Sequence, residues 1–190
     1  MIREIKVFED PVLRRKCKKV EHIDAYILRL LDDMAETMYA APGIGLAAPQ
    51  VGINKRVIVV DVGEGLYKLI NPKIVQKEGL EVTTEGCLSV PGMVGDVERH
   101  SKITVKAQMP DGKYIKIEAE GIFAICLQHE IDHLDGTLFT DKAVNIRDDL
   151  NNEVEETDEE DSAEDVEVEV GSGIPIKLIS DSGPAIFEKQ

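Results

Sequence analysis

Cysteine is scarce in this chain: Cys17, Cys87 and Cys126 are the only three in 190 residues. Three thiols without a secretory leader do not make a disulfide framework. No run of about 18 apolar residues occurs, so no transmembrane helix is expected. The opening Met1-Ile2-Arg3-Glu4-Ile5-Lys6 runs straight into domain-like sequence, which predicts no signal peptide and a cytoplasmic location. Histidine is almost as rare, with four residues, and none follows His133. Lys and Arg are absent from Asp148 to Glu169, a stretch with thirteen acidic residues. That stretch carries most of the formal charge of −15 and leaves about −2 for the rest. The acidity therefore belongs to one segment and says nothing about the charge of a substrate. No direct nucleic-acid motif is present.

What remains suits one domain, since 43% apolar content is enough for a core. Asp10-Pro11 predicts a short helical turn with Pro at its first position. Ile23, Ile27, Leu30, Leu31, Met34 and Met38 recur at helical spacing, with Asp24 as a plausible N-cap. Arg56 to Val62 reads as a buried strand, and Tyr67 to Gln76 as strand interrupted at Asn71-Pro72. Ile103 to Ala107 and Tyr114 to Ala119 alternate around Asp111-Gly112-Lys113, which predicts a β-hairpin. The expected class is α+β: mixed or antiparallel strands packed around a central helix.

That central helix carries the most informative stretch, Gln128-His129-Glu130-Ile131-Asp132-His133. His129 and His133 are four apart, so a helix stacks both imidazoles on one face, within reach of one metal ion. Glu130 lies between them, where a carboxylate can reach a metal-activated water. Gly121 to Leu134 has no proline and is mostly apolar, and Gly136 suits a left-handed cap. A helix with two histidines and a glutamate can also be mere core, and two histidines leave a tetrahedral catalytic site one ligand short. Downstream candidates sit mainly in the acidic run. Upstream, Glu85-Gly86-Cys87-Leu88-Ser89 ends a strand-like stretch, Leu80 to Thr84, and Pro91-Gly92 is expected to turn the chain. Cys87 is either a thiolate ligand or a small buried hydrophobe. Cys126 reads as packing inside the helix, and Cys17 lies in a basic stretch with no evident partner.

Gly43 to Gly52 is rich in Gly, Ala and Pro, so its backbone can approach a ligand closely. Gln50 is its one hydrogen-bonding side chain. Taken alone the stretch is also compatible with a plain glycine-rich turn.

Together Gly43 to Gly52, Glu85 to Ser89 and Gln128 to Gly136 resemble the three signature motifs of the peptide deformylase family. The resemblance covers roughly residues 1 to 145. It implies a metal-dependent hydrolase that removes the N-terminal formyl group from formyl-methionine of newly made polypeptides. It implies Cys87, His129 and His133 as metal ligands, Glu130 as general acid/base acting with a metal-bound water, and Gln50 with the Leu88 N–H as oxyanion donors. One divalent metal ion is implied, ferrous iron (Fe2+) by family habit, with Zn2+, Ni2+ or Co2+ able to substitute. Ile44, Gly45, Ile125 and Cys126 are the substrate-binding candidates, with Leu88 a further apolar one. In the family a loop arginine helps hold the peptide. Arg99 is the best match, against the alternative of a solvated strand charge. The implied partners are N-formyl-methionyl nascent peptides and a transient ribosome contact, with no membrane. The enzyme alternative is a zincin-like metallopeptidase, which shares His-Glu-x-x-His. The other alternative is a catalytically inactive metal-binding homologue.

The expected organisation is a catalytic domain over residues 1–147, an acidic, flexible segment over 148–170 and a C-terminal extension over 171–190. Many members of the family end in a basic or mixed amphipathic helix, linked in some to ribosome docking. This chain departs from that pattern. Asp165 to Val170 alternates acid and valine, and Ile174, Ile176, Leu178, Ile179, Ile186 and Phe187 restore apolar character.

Overall fold

Asp24 starts the first long helix for a local reason. Its carboxylate accepts the Ile27 N–H at 3.0 Å, satisfying a donor that has no partner inside the helix. Helix α1 then spans Ala25–Ala40 and buries Ile27, Leu30, Leu31, Met34 and Met38 along one side. Asp24→Ala is expected to lower stability by about 1 kcal/mol, read as a lower denaturant midpoint at unchanged slope. Asp10 does the same for a short 3-10 turn, Pro11–Arg14, by accepting the Val12 N–H.

The computed structural model describes residues 1–149. From 150 onward, the acidic segment and the extension lie outside the described residues. Eight strands follow in order: β1 (Gly45–Ala47), β2 (Val57–Val60), β3 (Tyr67–Glu78), β4 (Glu81–Cys87), β5 (Val90–Arg99), β6 (Lys102–Gln108), β7 (Tyr114–Glu120) and β8 (Val144–Asp148). Helix α2 (Gly121–Leu134) lies between β7 and β8 in sequence. The strands form a five-stranded sheet, β1-β2-β3-β6-β7, and a three-stranded sheet, β4-β5-β8. Every strand pairing is antiparallel. This is the expected α+β class, and the β6–β7 hairpin forms where the alternation predicts it. No described helix is long and apolar enough to cross a membrane.

Strand β2 shows why the core has two halves. Val57 and Val59 pack with Leu30, Leu31 and Met34 of α1, while Ile58 and Val60 pack with Ala124, Cys126 and Leu127 of α2. A strand buried on both faces reads as an unbroken apolar run, and Val-Ile-Val-Val is one. Helix α2 is buried almost all round: eleven of its fourteen residues are closed to solvent. Such a helix belongs in a core rather than on a surface. A third cluster, Leu13, Val90, Val97, Leu138 and Phe139, lines the small sheet.

Three local readings differ from the structure. The chain turns at Leu88-Ser89, not at Pro91-Gly92, which lie inside β5. The register explains this. Gly86 pairs with Val94 and Cys87 with Val90, so residues 91–93 form a bulge opposite β4. A proline without an N–H is harmless there. The interruption at Asn71 is real but milder than a break: Asn71 takes φ 52 and the register shifts, yet β3 continues to Glu78. Finally, β8 was not anticipated. Arg147 pairs with Val94 and Asp148 with Met93, and the Asp149 N–H reaches Gly92 O at 2.9 Å. Asp148 is therefore strand rather than part of the acidic segment.

Candidate metal centre and active site

Period-two geometry places Glu85 and Cys87 on one face of β4. That face meets α2. Cys87 Sγ lies 3.3 Å from His133 Nε2, and one donor atom each from Cys87, His129 and His133 falls within 4.8 Å of the others. The two imidazoles stand edge to face, 4.9 Å between centroids. The expected ligand trio is therefore brought together. A thiol and two imidazoles at this spacing suit a borderline divalent cation such as zinc or ferrous iron.

Glu85 fixes which nitrogen of His129 faces the cluster. Its Oε2 lies 2.9 Å from His129 Nδ1, so an ionised Glu85 accepts a hydrogen bond from Nδ1–H and leaves the lone pair on Nε2. Burial alone would raise the Glu85 carboxyl. Hydrogen bonds from Arg99 and His129 outweigh it and hold it at about 2. For His129, burial disfavours the charged ring, but Cys87 and Glu85 outweigh that and raise its pKa. His133 is held neutral by its burial, with the charges of His129 and Arg99 acting the same way. Its Nδ1 is buried and has no hydrogen-bond partner among the described residues.

Glu130 lies 3% exposed on the same helix, and its Oε2 also has no partner. Burial pushes its carboxyl up to about 7, with His129 acting the other way. Gly45 makes room for it. A Cβ on Gly45 would collide with Glu130 Oε1 and lie 2.8 Å from Cys126 Sγ. Gly45 has ordinary backbone angles, so the demand is for space rather than for conformation. Gly43 is similarly tight, with Leu88 Cδ1 2.8 Å from where its Cβ would be. The glycine-rich segment is thus no plain turn. It is a short strand and a 3-10 turn, Ala48–Val51, packed against the Cys87–Leu88 corner.

Gln50 is almost fully buried, and its amide orientation is set. Oε1 accepts the Ala47 N–H at 2.8 Å, so Nε2 faces Ser89 Oγ at 3.3 Å and Cys87 Sγ at 3.6 Å. The Leu88 N–H lies in the adjacent turn, with no hydrogen-bond partner among the described residues. Both proposed oxyanion donors therefore border the cluster.

The substrate candidates divide. Gly45 lies on edge strand β1. Ile44 O accepts the Asp61 N–H, so by antiparallel alternation the Gly45 N–H and C=O point away from β2. Ile44, Ile125 and Cys126 are 8%, 5% and 1% exposed, and Cys126 Sγ contacts Ile44 O at 3.6 Å. Arg99 requires correction. It is neither a solvated charge nor a cleft residue: its side chain is 3% exposed and its guanidinium is committed to Glu85 and Asp132. Glu85, Ser89 and Asp132 went without a role in the sequence reading. Glu85 had a usable signal, its two-residue spacing from Cys87 on a strand. Asp132 and Ser89 had none beyond lying inside the motifs.

A family profile described as polypeptide deformylase matches residues 2–149. The peptide deformylase of Symbiobacterium thermophilum is 56% identical over 169 residues, covering 86% of this chain and 76% of that protein. That of Acetivibrio thermocellus is 55% identical over 143 residues, covering 75% of this chain and 84% of the relative. Among solved structures, peptide deformylase from Thermotoga maritima superposes with a TM-score of 0.74 at 45% identity, over 76% of this chain and 99% of that one. The Synechococcus elongatus peptide deformylase in complex with actinonin gives 0.72 at 46% identity, over 74% and 78%. These matches favour neither the zincin-like peptidase nor the inactive homologue. Sequence, fold and the three motifs converge over the whole described body, and the chain belongs to the polypeptide deformylase family.

Proposed function

We propose that Cys87, His129 and His133 hold one divalent metal ion, Fe2+ by preference, for the family's reaction: removal of the N-terminal formyl group from new polypeptides. The observation that carries this is the convergence of three donor atoms within 4.8 Å beside a buried, unpartnered carboxylate oxygen of Glu130. When bound, such an ion supplies a Lewis acid that polarises the formyl oxygen and makes water a better nucleophile at neutral pH.

The chain's own residues do the rest. Glu130 takes the proton from the attacking water and passes it to the departing amine, which becomes the free N-terminus. Its raised carboxyl, near the working pH, suits both steps. Negative charge grows on the formyl oxygen, where Gln50 Nε2 and the Leu88 N–H donate. Losing one such donor typically costs about 3 kcal/mol of barrier. The peptide lies along β1 and pairs with the Gly45 backbone, and Ile44, Ile125 and Leu88 offer apolar wall for the methionine side chain. Cys126 seals the space beneath Gly45. A reducing cytoplasm suits this site, because a thiolate beside ferrous iron is open to oxidation.

The test uses anaerobic, iron-loaded protein and measures formate released from formyl-Met-Ala. Cys87→Ala and His133→Ala are expected to lose both metal and turnover. Full metal content in Cys87→Ala would overturn the ligand set. Residues past Asp149 fall outside the span of the family profile. Deleting 150–190 is therefore expected to leave metal content and turnover on this short peptide within about twofold, a change too small to signal a lost catalytic group. A folded, metal-loaded truncation that has lost most of its activity would contradict this.

A further inference from the structure

A line of charges leads away from His129 to the surface. His129 Nδ1 meets Glu85 Oε2 at 2.9 Å. Arg99 grips the same carboxylate with two N–H groups, Nε to Oε1 at 2.6 Å and Nη2 to Oε2 at 2.8 Å. The third arm, Nη1, reaches Asp132 Oδ2, which also accepts Lys142 Nζ at 2.6 Å. Side-chain exposure rises along the line: 0% for Glu85, 3% for Arg99, 20% for Asp132 and 43% for Lys142. Signs alternate throughout, so each buried charge has an opposite neighbour on either side.

Each link has a physical consequence. A buried carboxylate held only by His129 could swing about its side-chain torsions, and the imidazole could turn with it. Arg99 prevents this by fixing both Glu85 oxygens, one of which faces His129 Nδ1. Arg99 needs a second anion for its remaining arm, and Asp132 provides it. Asp132 lies on α2 between His129 and His133, so the same contact ties β5 to the helix turn that carries both imidazoles.

We propose that Arg99 and Asp132, anchored at the surface by Lys142, are positioning residues. Through Glu85 they hold the His129 ring in place and thereby set how tightly the site retains its metal. This rests on the metal-ligand reading above. None of the three is a ligand, and none touches substrate. Their effect reaches the metal through a single imidazole.

The experiment uses the full chain and measures the dissociation constant for Co2+ by competition with a chromophoric chelator. Outer-shell partners of metal-bound histidines are typically worth 10- to 100-fold in affinity. Asp132→Asn is expected to weaken Co2+ binding by about tenfold, and Arg99→Lys by somewhat more, since an ammonium cannot bridge two carboxylates in a fork. Lys142→Met should give a smaller loss, of a few-fold, at a position that tolerates substitution. KM for formyl-Met-Ala should stay unchanged in metal-saturated Asp132→Asn. A merely structural role would lower the unfolding midpoint and leave the dissociation constant of the folded protein alone. If Asp132→Asn and Lys142→Met both fold and bind Co2+ as wild type does, while Cys87→Ala does not bind it, the relay is overturned and the ligand set stands. If Cys87→Ala binds Co2+ as wild type does, the ligand set falls, and the relay with it.

Discussion

Glu130→Ala keeps its metal and loses nearly all turnover: this is the largest expected separation of roles in the molecule. Glu130 lies next to His129 in sequence, yet its donor atoms are not among the three that converge. Removing it leaves Cys87, His129 and His133 in place and takes away the proposed proton carrier. General acid–base catalysis contributes roughly a hundredfold to ten-thousandfold, and the proposed role has one residue serve in both directions. Glu130→Gln, with the same shape and no basicity, should be nearly as poor. The measurement pairs metal content with formate release per bound metal. A Glu130→Ala protein found empty of metal would mean that the carboxylate is a ligand, and the assignment of roles would have to be redrawn.

The second large effect comes from adding a single carbon. Gly45→Ala is expected to reduce turnover by about two orders of magnitude, the typical result of displacing a reacting group by about 1 Å. The Cβ would enter the space of the Glu130 carboxylate and crowd Cys126 Sγ at 2.8 Å. Neither neighbour can retreat, since Glu130 is 3% exposed and Cys126 1%. Gly45 takes no left-handed backbone angle, so alanine brings no torsional penalty and the protein should fold. The loss should appear mainly in kcat, because the proposed contact between the peptide and the β1 backbone is retained. Wild-type turnover in Gly45→Ala would show that Glu130 has more freedom than its packing indicates.

The site was more legible in the sequence than the structure that supports it. Helix α2 could be read to the residue because an apolar run without proline is bounded by Gly121 and closed at Gly136, where φ is 77. Cys87 was legible as a candidate upstream ligand, because no histidine follows His133 and because the family resemblance points to it. Arg99 was not, because a lone arginine in a strand has the same sequence appearance whether solvated or paired. Its burial depends on Glu85 and Asp132, which come from a neighbouring strand and a distant helix. Strand β8 was hidden for a related reason. All five of its residues are exposed, so no alternation marks it, and only its pairing with β5 makes it a strand. Residues that act through a tertiary partner leave no periodic trace.

Strand β1 has a consequence for how the molecule behaves at high concentration. A sheet edge that offers backbone to a peptide substrate is also an edge that could recruit another molecule of the same protein. Here the unpaired edge is only three residues long, Gly45–Ala47, and all three are buried. The next N–H along the open side, that of Ala47, is already taken by Gln50 Oε1, and Pro49 in the following turn has none to give. The edge can therefore seat one short extended segment but cannot template a long one. The opposite edge, β7, guards itself differently, with Lys116, Glu118 and Glu120 along its exposed positions. The same brevity keeps the unpaired edge from seeding aggregation.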